Sequence, residues 1–162
     1  MPGTKDPRQA LGKLGERLAA DYLRRQGYRI HETNFRCPFG ELDIVASEGD
    51  VLAFVEVRTR RGDSHGSAQE SVTPRKQHRL RQVAEAYLQA RYQQTAAGGR
   101  DAGDQHLAAP RRKDRQATPP PPPLPPHRRG EIPACRIDVV AIAMAPNGAL
   151  ERIELIRNAV GA

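Results

Sequence analysis

Tryptophan is absent from this 162-residue chain and aromatic residues make up only 4% of it, so its core has to be aliphatic. Long apolar runs are missing too. None approaches the ~20 residues of a bilayer-crossing helix, and the N-terminus shows no apolar signal-peptide stretch, so no membrane association is expected. Cysteine is scarce: Cys37 and Cys135 alone make a disulfide framework unlikely and point to reduced thiols in a cytoplasmic protein. Lysine is scarce as well, four residues against twenty-two arginines, in a chain of net charge +7. Arginine makes planar, bidentate phosphate contacts and so suits nucleic acid as a partner. Genomic base composition would enrich arginine equally, and the Ala, Gly and Pro content fits that too.

The most informative stretch is Gly40–Arg60, GELDIVASEGDVLAFVEVRTR. Two short apolar runs, Glu41–Ala46 and Val51–Thr59, flank Ser47-Glu48-Gly49-Asp50, and Glu48-Gly49 suits a two-residue hairpin turn. Alternation puts Leu42, Ile44 and Ala46 on one face with Ala53, Val55 and Val57. Pairing Ser47 with Asp50 sets Phe54 opposite Asp43 and Glu56 opposite Glu41. The other face then carries Glu41, Asp43, Glu56 and Arg58 at the end away from the turn, with Val45, Leu52 and Phe54 filling the rest. Clustered like charges destabilise a sheet, and a cation between them removes the conflict. Oxygen donors without a His or Cys cluster suit Mg²⁺ or Mn²⁺ rather than zinc. Charged strand faces are also common on wet sheets, where these acids would pair with Arg58 and Arg60.

Elsewhere, Asp6-Pro7 reads as N-cap and first residue of a helix ending near Gln26, with Gly27 as its left-handed terminator. Leu11, Leu14, Leu18, Ala19, Tyr22 and Leu23 form its apolar arc. Glu16 lies at the edge of that arc, and Lys13, Arg17 and Arg24 lie on the polar side. Tyr28–Arg36 should be a first strand, with His31 a structural histidine on it. Arg61–Ser71, which includes His65, reads as a mobile loop. Thr73-Pro74 starts a second helix reaching about Tyr92, with Leu80, Val83, Ala84, Tyr87 and Leu88 facing inward. Lys76 falls on nearly the same side in its first turn, either pointing along the sheet or exposed.

Residues 95–133 lack apolar periodicity and contain PPPPPLPP, so they read as a disordered Pro/Arg-rich insertion. An SH3-type partner for that tract is the minority expectation. Cys135–Ala143 and Ala149–Ile156 are two further strands about a Pro146-Asn147-Gly148 turn. The expectation is one mixed α/β domain over 6–158, ordered helix, three strands, helix, two strands.

These residues carry a family resemblance. Gly15-Glu16 with Ala19 and Tyr22-Leu23, Gly40-Glu41-Leu42-Asp43, Phe54–Arg60, Ser71-Val72-Thr73 through Lys76, and Arg136-Ile137-Asp138-Val139-Val140 together resemble the YraN-type family of bacterial proteins. That family is similar to the PD-(D/E)XK, restriction-endonuclease-like superfamily, and within it to archaeal Holliday-junction resolvases. The resemblance implies an αβββα-ββ core with a central mixed sheet flanked by two helices, Mg²⁺ (or Mn²⁺) dependence, and DNA as the substrate, with branched or junction forms in view. A homodimer is implied if junctions are cut at two sites. It also implies Asp43 and Glu56 as metal ligands, with Glu16 as the first-helix acid and Arg58 in the superfamily's lysine slot. Glu41, from the same strand face, and the Val57 carbonyl are expected to join them at the metal. The candidate nucleic-acid contacts are Lys13, Arg17, Arg58, Arg60, Arg61, Arg75, Lys76 and Arg79. Two departures stand out: Leu42 replaces the motif's proline, and Arg58 replaces its lysine. A guanidinium with pKa above ~12 cannot act as general base, so water activation rests on the metal or on Lys76. A nucleic-acid-binding module that keeps this fold without turnover is the competing expectation.

Overall fold

The computed structural model describes residues 6–62, 72–96, 124–125 and 133–160. The first helix, α1 (Pro7–Arg25), opens with Asp6 Oδ1 accepting the Arg8 N–H at 3.0 Å. It closes in a Schellman arrangement. Gly27, at φ +89°, donates to the Arg24 carbonyl, Tyr28 donates to the Leu23 carbonyl, and Leu23 and Tyr28 are both buried in one core cluster.

Five strands follow in a single sheet of order β1-β2-β3-β4-β5: β1 (Arg29–Cys37), β2 (Gly40–Glu48), β3 (Val51–Arg61), β4 (Cys135–Met144) and β5 (Leu150–Ile156). Neighbours are antiparallel except β3 and β4, which run parallel. A parallel pair requires a crossover, and α2 (Pro74–Ala96) lies within that connection. The fold class is therefore the mixed αβββα-ββ arrangement expected.

The two helices cover opposite faces. Ala19, Ala20 and Leu23 of α1 pack with Ile44, Ala46, Ala53, Val55, Val140, Ile142 and Met144. Leu80, Val83, Ala84 and Tyr87 of α2 pack with Val45, Leu52, Phe54, Ile137 and Val139. Tyr87 meets the edges of Phe35 and Phe54, with ring centroids 5.0 and 5.7 Å apart. Three of the chain's seven aromatics thus meet under α2, while Tyr28 is buried under α1. At Gly15 a Cβ would overlap the Thr59 hydroxyl, so α1 lies on β3 through bare backbone.

Several expectations change. The β2–β3 turn is Gly49-Asp50, with Glu48 opposite Val51 and Val45 opposite Phe54, so the register lies two residues from the one expected. An even displacement preserves the faces. Leu42 does not join Ile44 and Ala46 but packs under α2. The neighbouring strand carries a register shift between Ile30 and Glu32 and, at Asn34, a φ of 59°. The second helix runs to Ala96, so Thr95 and Ala96 belong to it rather than to the insertion. Leu124 packs against the core under α2, and Pro125 and Pro133 are buried, so the end of the proline tract is docked. The rest of the expected insertion (97–123 and 126–132) and most of the expected loop (63–71, with His65) lie outside the described residues.

Candidate functional site

The site grows from a division in the sheet. β2 and β3 pair from the turn as far as Ile44 opposite Val55. Beyond that point β2 continues to Gly40 paired only with β1, and β3 continues to Arg61 paired with β4, among the described residues. The two strands form the prongs of a fork, and Asp43 sits in its crotch. Asp43 Oδ2 accepts the Val57 N–H at 2.7 Å. The N–H and C=O of one strand residue leave on the same edge, so the Val57 carbonyl also faces the fork rather than β4.

Glu56 is the adjacent residue, 8% exposed. Its Oε1 lies 2.5 Å from Lys76 Nζ, from the first turn of α2, and 3.5 Å from Arg58 Nε, two residues along the same strand face. The α2 start is fixed by Thr73, whose carbonyl accepts the Gln77 N–H and whose hydroxyl accepts the Lys76 N–H at 3.4 Å. That geometry turns Lys76 inward, and its side chain is only 16% exposed. From the other face, Glu16 accepts a 3.0 Å hydrogen bond from Asn34 Nδ2.

Burial and crowding set the electrostatics. The Asp43 carboxyl is pushed up to about 7, first by burial, then by the charge of Glu56, with Glu16 and Glu41 adding and the Val57 N–H opposing. Burial raises Glu56 too, against the pull of Arg58 and Arg79. Two neighbouring acids that resist ionising are a place where added positive charge is stabilised.

The remaining candidates are distributed unevenly. Glu41 lies close enough to perturb both acids, but its carboxylate is paired with Arg36 at 3.1 Å. Among the described residues no three His, Cys, Asp or Glu side chains form a group able to hold a metal ion. The oxygen donors at the fork are therefore the pair Asp43 and Glu56 with the Val57 carbonyl, and Glu41 stands off as a neighbour. Arg61 Nε donates to the Pro146 carbonyl at 3.1 Å, tying it to the β4–β5 turn instead of the fork. Arg60 is half-buried beside Ala143. Lys13, Arg17, Arg75 and Arg79 are exposed, and Arg79 lies over Gly40.

Two features escaped sequence reasoning. Asn34 takes a left-handed backbone conformation within β1 and holds Glu16; the signal is an asparagine, tolerant of positive φ, inside an otherwise β-rich run. On β4, opposite Val55, fully buried Asp138 is held by Arg136 Nε at 3.0 Å, Tyr28 Oη at 3.3 Å and the Asn158 N–H at 2.9 Å. Arg136 and Arg157 both reach on to Glu48. Asp138 therefore serves the core and not the fork.

A family model described as "Uncharacterised protein family UPF0102" matches residues 15–142. A UPF0102 protein of Pelotomaculum thermopropionicum is 38% identical over 154 residues, covering 95% of this chain and 98% of the relative. One from Syntrophus aciditrophicus is 38% identical over 148 residues, 91% of this chain and 86% of the relative. One from Acidothermus cellulolyticus is 54% identical over 88 residues, 54% of this chain and 67% of the relative.

Proposed function

The chain belongs to the UPF0102 (YraN-type) family, and from that premise and the geometry of the fork we propose that it is a metal-dependent phosphodiesterase acting on DNA. The observation that carries the reading is the meeting of Asp43, Glu56 and Lys76 where β2 and β3 part. The donor set fits a hard divalent cation: all oxygen, anionic, and too crowded to ionise comfortably without added positive charge. Asp43, Glu56 and the Val57 carbonyl would hold Mg²⁺ or Mn²⁺. Bound there, the ion supplies Lewis acidity and a more acidic water.

The chain's own residues do the rest. Arg58 stands beside Glu56 on the open side of β3, positioned to hold a phosphate oxygen and offset charge that develops on it. Lys76 fills the role that the strand leaves open by carrying Arg58. Its ammonium neutralises Glu56 in the metal-free protein. With a phosphodiester present the ammonium can hold an attacking water by donating to it, and only the neutral amine, after releasing a proton to solvent, can accept that water's proton. Glu16, oriented by Asn34, adds negative charge on the far side of Asp43. Exposed Lys13, Arg17, Arg75 and Arg79 offer phosphate contacts along both helices. Two free cysteines suit a reducing cytoplasm. Cutting a junction on both strands would bring two such chains together.

One observation favours a second reading, a DNA-binding module without turnover: Glu56 is already satisfied by Lys76. The test is incubation of the purified chain with single-stranded, duplex and branched DNA, with and without Mn²⁺, beside Asp43→Asn and Glu56→Gln. Metal-dependent cutting lost in both variants supports the enzyme. Metal-independent retention that weakens steeply with salt, with no products, supports the binding module. Cutting that survives both substitutions refutes the site.

A further inference from the structure

Phe39 has no place in the chemistry so far. It forms the tip of the β1–β2 hairpin with Pro38, since Cys37 pairs with Gly40 on either side. It is 52% exposed, and only Leu150 shares that status among the large hydrophobics described. In a chain so short of aromatics, Phe35, Phe54 and Tyr87 are spent on the core while Phe39 is held out in solvent. Turn tips usually carry Gly, Asn or Asp, so an exposed ring there needs another reason.

Its position supplies one. The hairpin tip ends the β2 prong, the same prong that carries Asp43. Four residue steps lead from Phe39 to Asp43, about 13 Å along a strand, or roughly four stacked nucleotides. Arg36 is exposed just before the tip, and Arg79 of α2 lies over Gly40 just after it. An aromatic face flanked by guanidinium groups is the combination that single-stranded nucleic acid uses, phosphates meeting the cations and a base stacking on the ring. A fully paired duplex keeps its bases stacked and offers the ring nothing.

We infer that Phe39 stacks on an unpaired nucleobase flanking the fork and so directs the site toward DNA with unpaired or splayed nucleotides. The inference rests on DNA being the substrate and adds which DNA. The absence of tryptophan makes it directly readable, because Phe39→Trp introduces a single indole. The full chain carrying that substitution is titrated with a labelled single strand, a flap and a blunt duplex in Ca²⁺, following label polarisation and indole emission together.

The expected result is quenching of the indole by single strand and flap but not by duplex. Phe39→Ala should weaken single-strand binding on the order of tenfold and duplex binding less than about twofold. Retention of single strand with unchanged indole emission overturns the inference while leaving the nuclease reading intact. Equal loss on duplex and single strand in Phe39→Ala also overturns it, as does an emission change that follows protein concentration without DNA, which marks a contact between copies. Failure of the unsubstituted chain to retain any of the three DNAs removes the nuclease reading and this inference with it.

Discussion

The Asp43 carboxylate receives the Val57 N–H at 2.7 Å, where an uninterrupted β2–β3 ladder would place a main-chain carbonyl. One side chain thus replaces a rung and opens the sheet. Asn at this position keeps an acceptor for that N–H and removes the charge, whereas Ala leaves the N–H unsatisfied, a cost of about 1–3 kcal/mol. Asp43→Asn should therefore fold at least as stably as the parent, and Asp43→Ala should be less stable than Asp43→Asn. Urea unfolding orders the three. Cleavage should fall at least about a hundredfold in both.

The same carboxyl gives the metal-free protein a pH signature. Its pKa when folded, about 7, lies above the ordinary aspartate value, so the folded state binds more protons than the unfolded state between the two. Stability then falls as pH rises from about 4 to about 7 and levels off above, by up to about 3–4 kcal/mol. Glu56 contributes in the same direction. Thermal melts across that range in EDTA should show the decline. Asp43→Asn should flatten it, and Mn²⁺ at pH 7.5 should raise the midpoint of the parent but not of that variant.

Lys76 and Arg58 both approach Glu56, and their roles separate by substitution. Lys76→Met should reduce kcat by about 10²–10⁴-fold while preserving the Mn²⁺-induced rise in melting temperature. Arg58→Lys should cost about tenfold or less, and Arg58→Met should raise KM more than it lowers kcat. Single-turnover kinetics on a labelled flap measures both. A collapse of kcat in Arg58→Met with Lys76→Met unaffected would exchange the assignments.

The Asp138 network makes the opposite prediction. Asp138 is wholly enclosed, and Arg136 is only 18% exposed beside it. Asp138→Ala leaves Arg136 its pairing with Glu48 but removes the acceptor that serves Arg136, Tyr28 Oη and the Asn158 N–H, at about 1–3 kcal/mol. Asp138→Ala should shift the urea midpoint down accordingly, while specific activity per folded molecule at low temperature stays unchanged.

Both helices, all five strands and the convergence of Asp43 with Glu56 were legible because period, caps and apolar faces agree along the chain. The register was not. Gly49 has φ +58° and suits either a Glu48-Gly49 or a Gly49-Asp50 turn, and the two alternatives differ by an even step that leaves every face unchanged. Alternation cannot detect such a step. Leu42 was misplaced for a different reason: its facing strand carries a register shift between Ile30 and Glu32 and a left-handed Asn34, backbone features of another strand that its own alternation does not contain. Glu41 looked like a third ligand under the expected register, yet it is turned to Arg36. Lys76 could be assigned a phase but not a partner, because helical phase says which way a side chain leaves and not what stands opposite.

At Gly15 the bare backbone of the first helix rests directly on the Thr59 side chain of the third strand. A spacing set by one short, β-branched side chain against backbone has little compliance, unlike one bridged by long side chains. Glu16, the next residue, therefore keeps a near-constant height over the acids at the strand junction, whatever the outer ends of the helix do. Even a methyl at that point would act as a wedge, lifting the helix and taking Glu16 out of the electrostatic field that Asp43 feels.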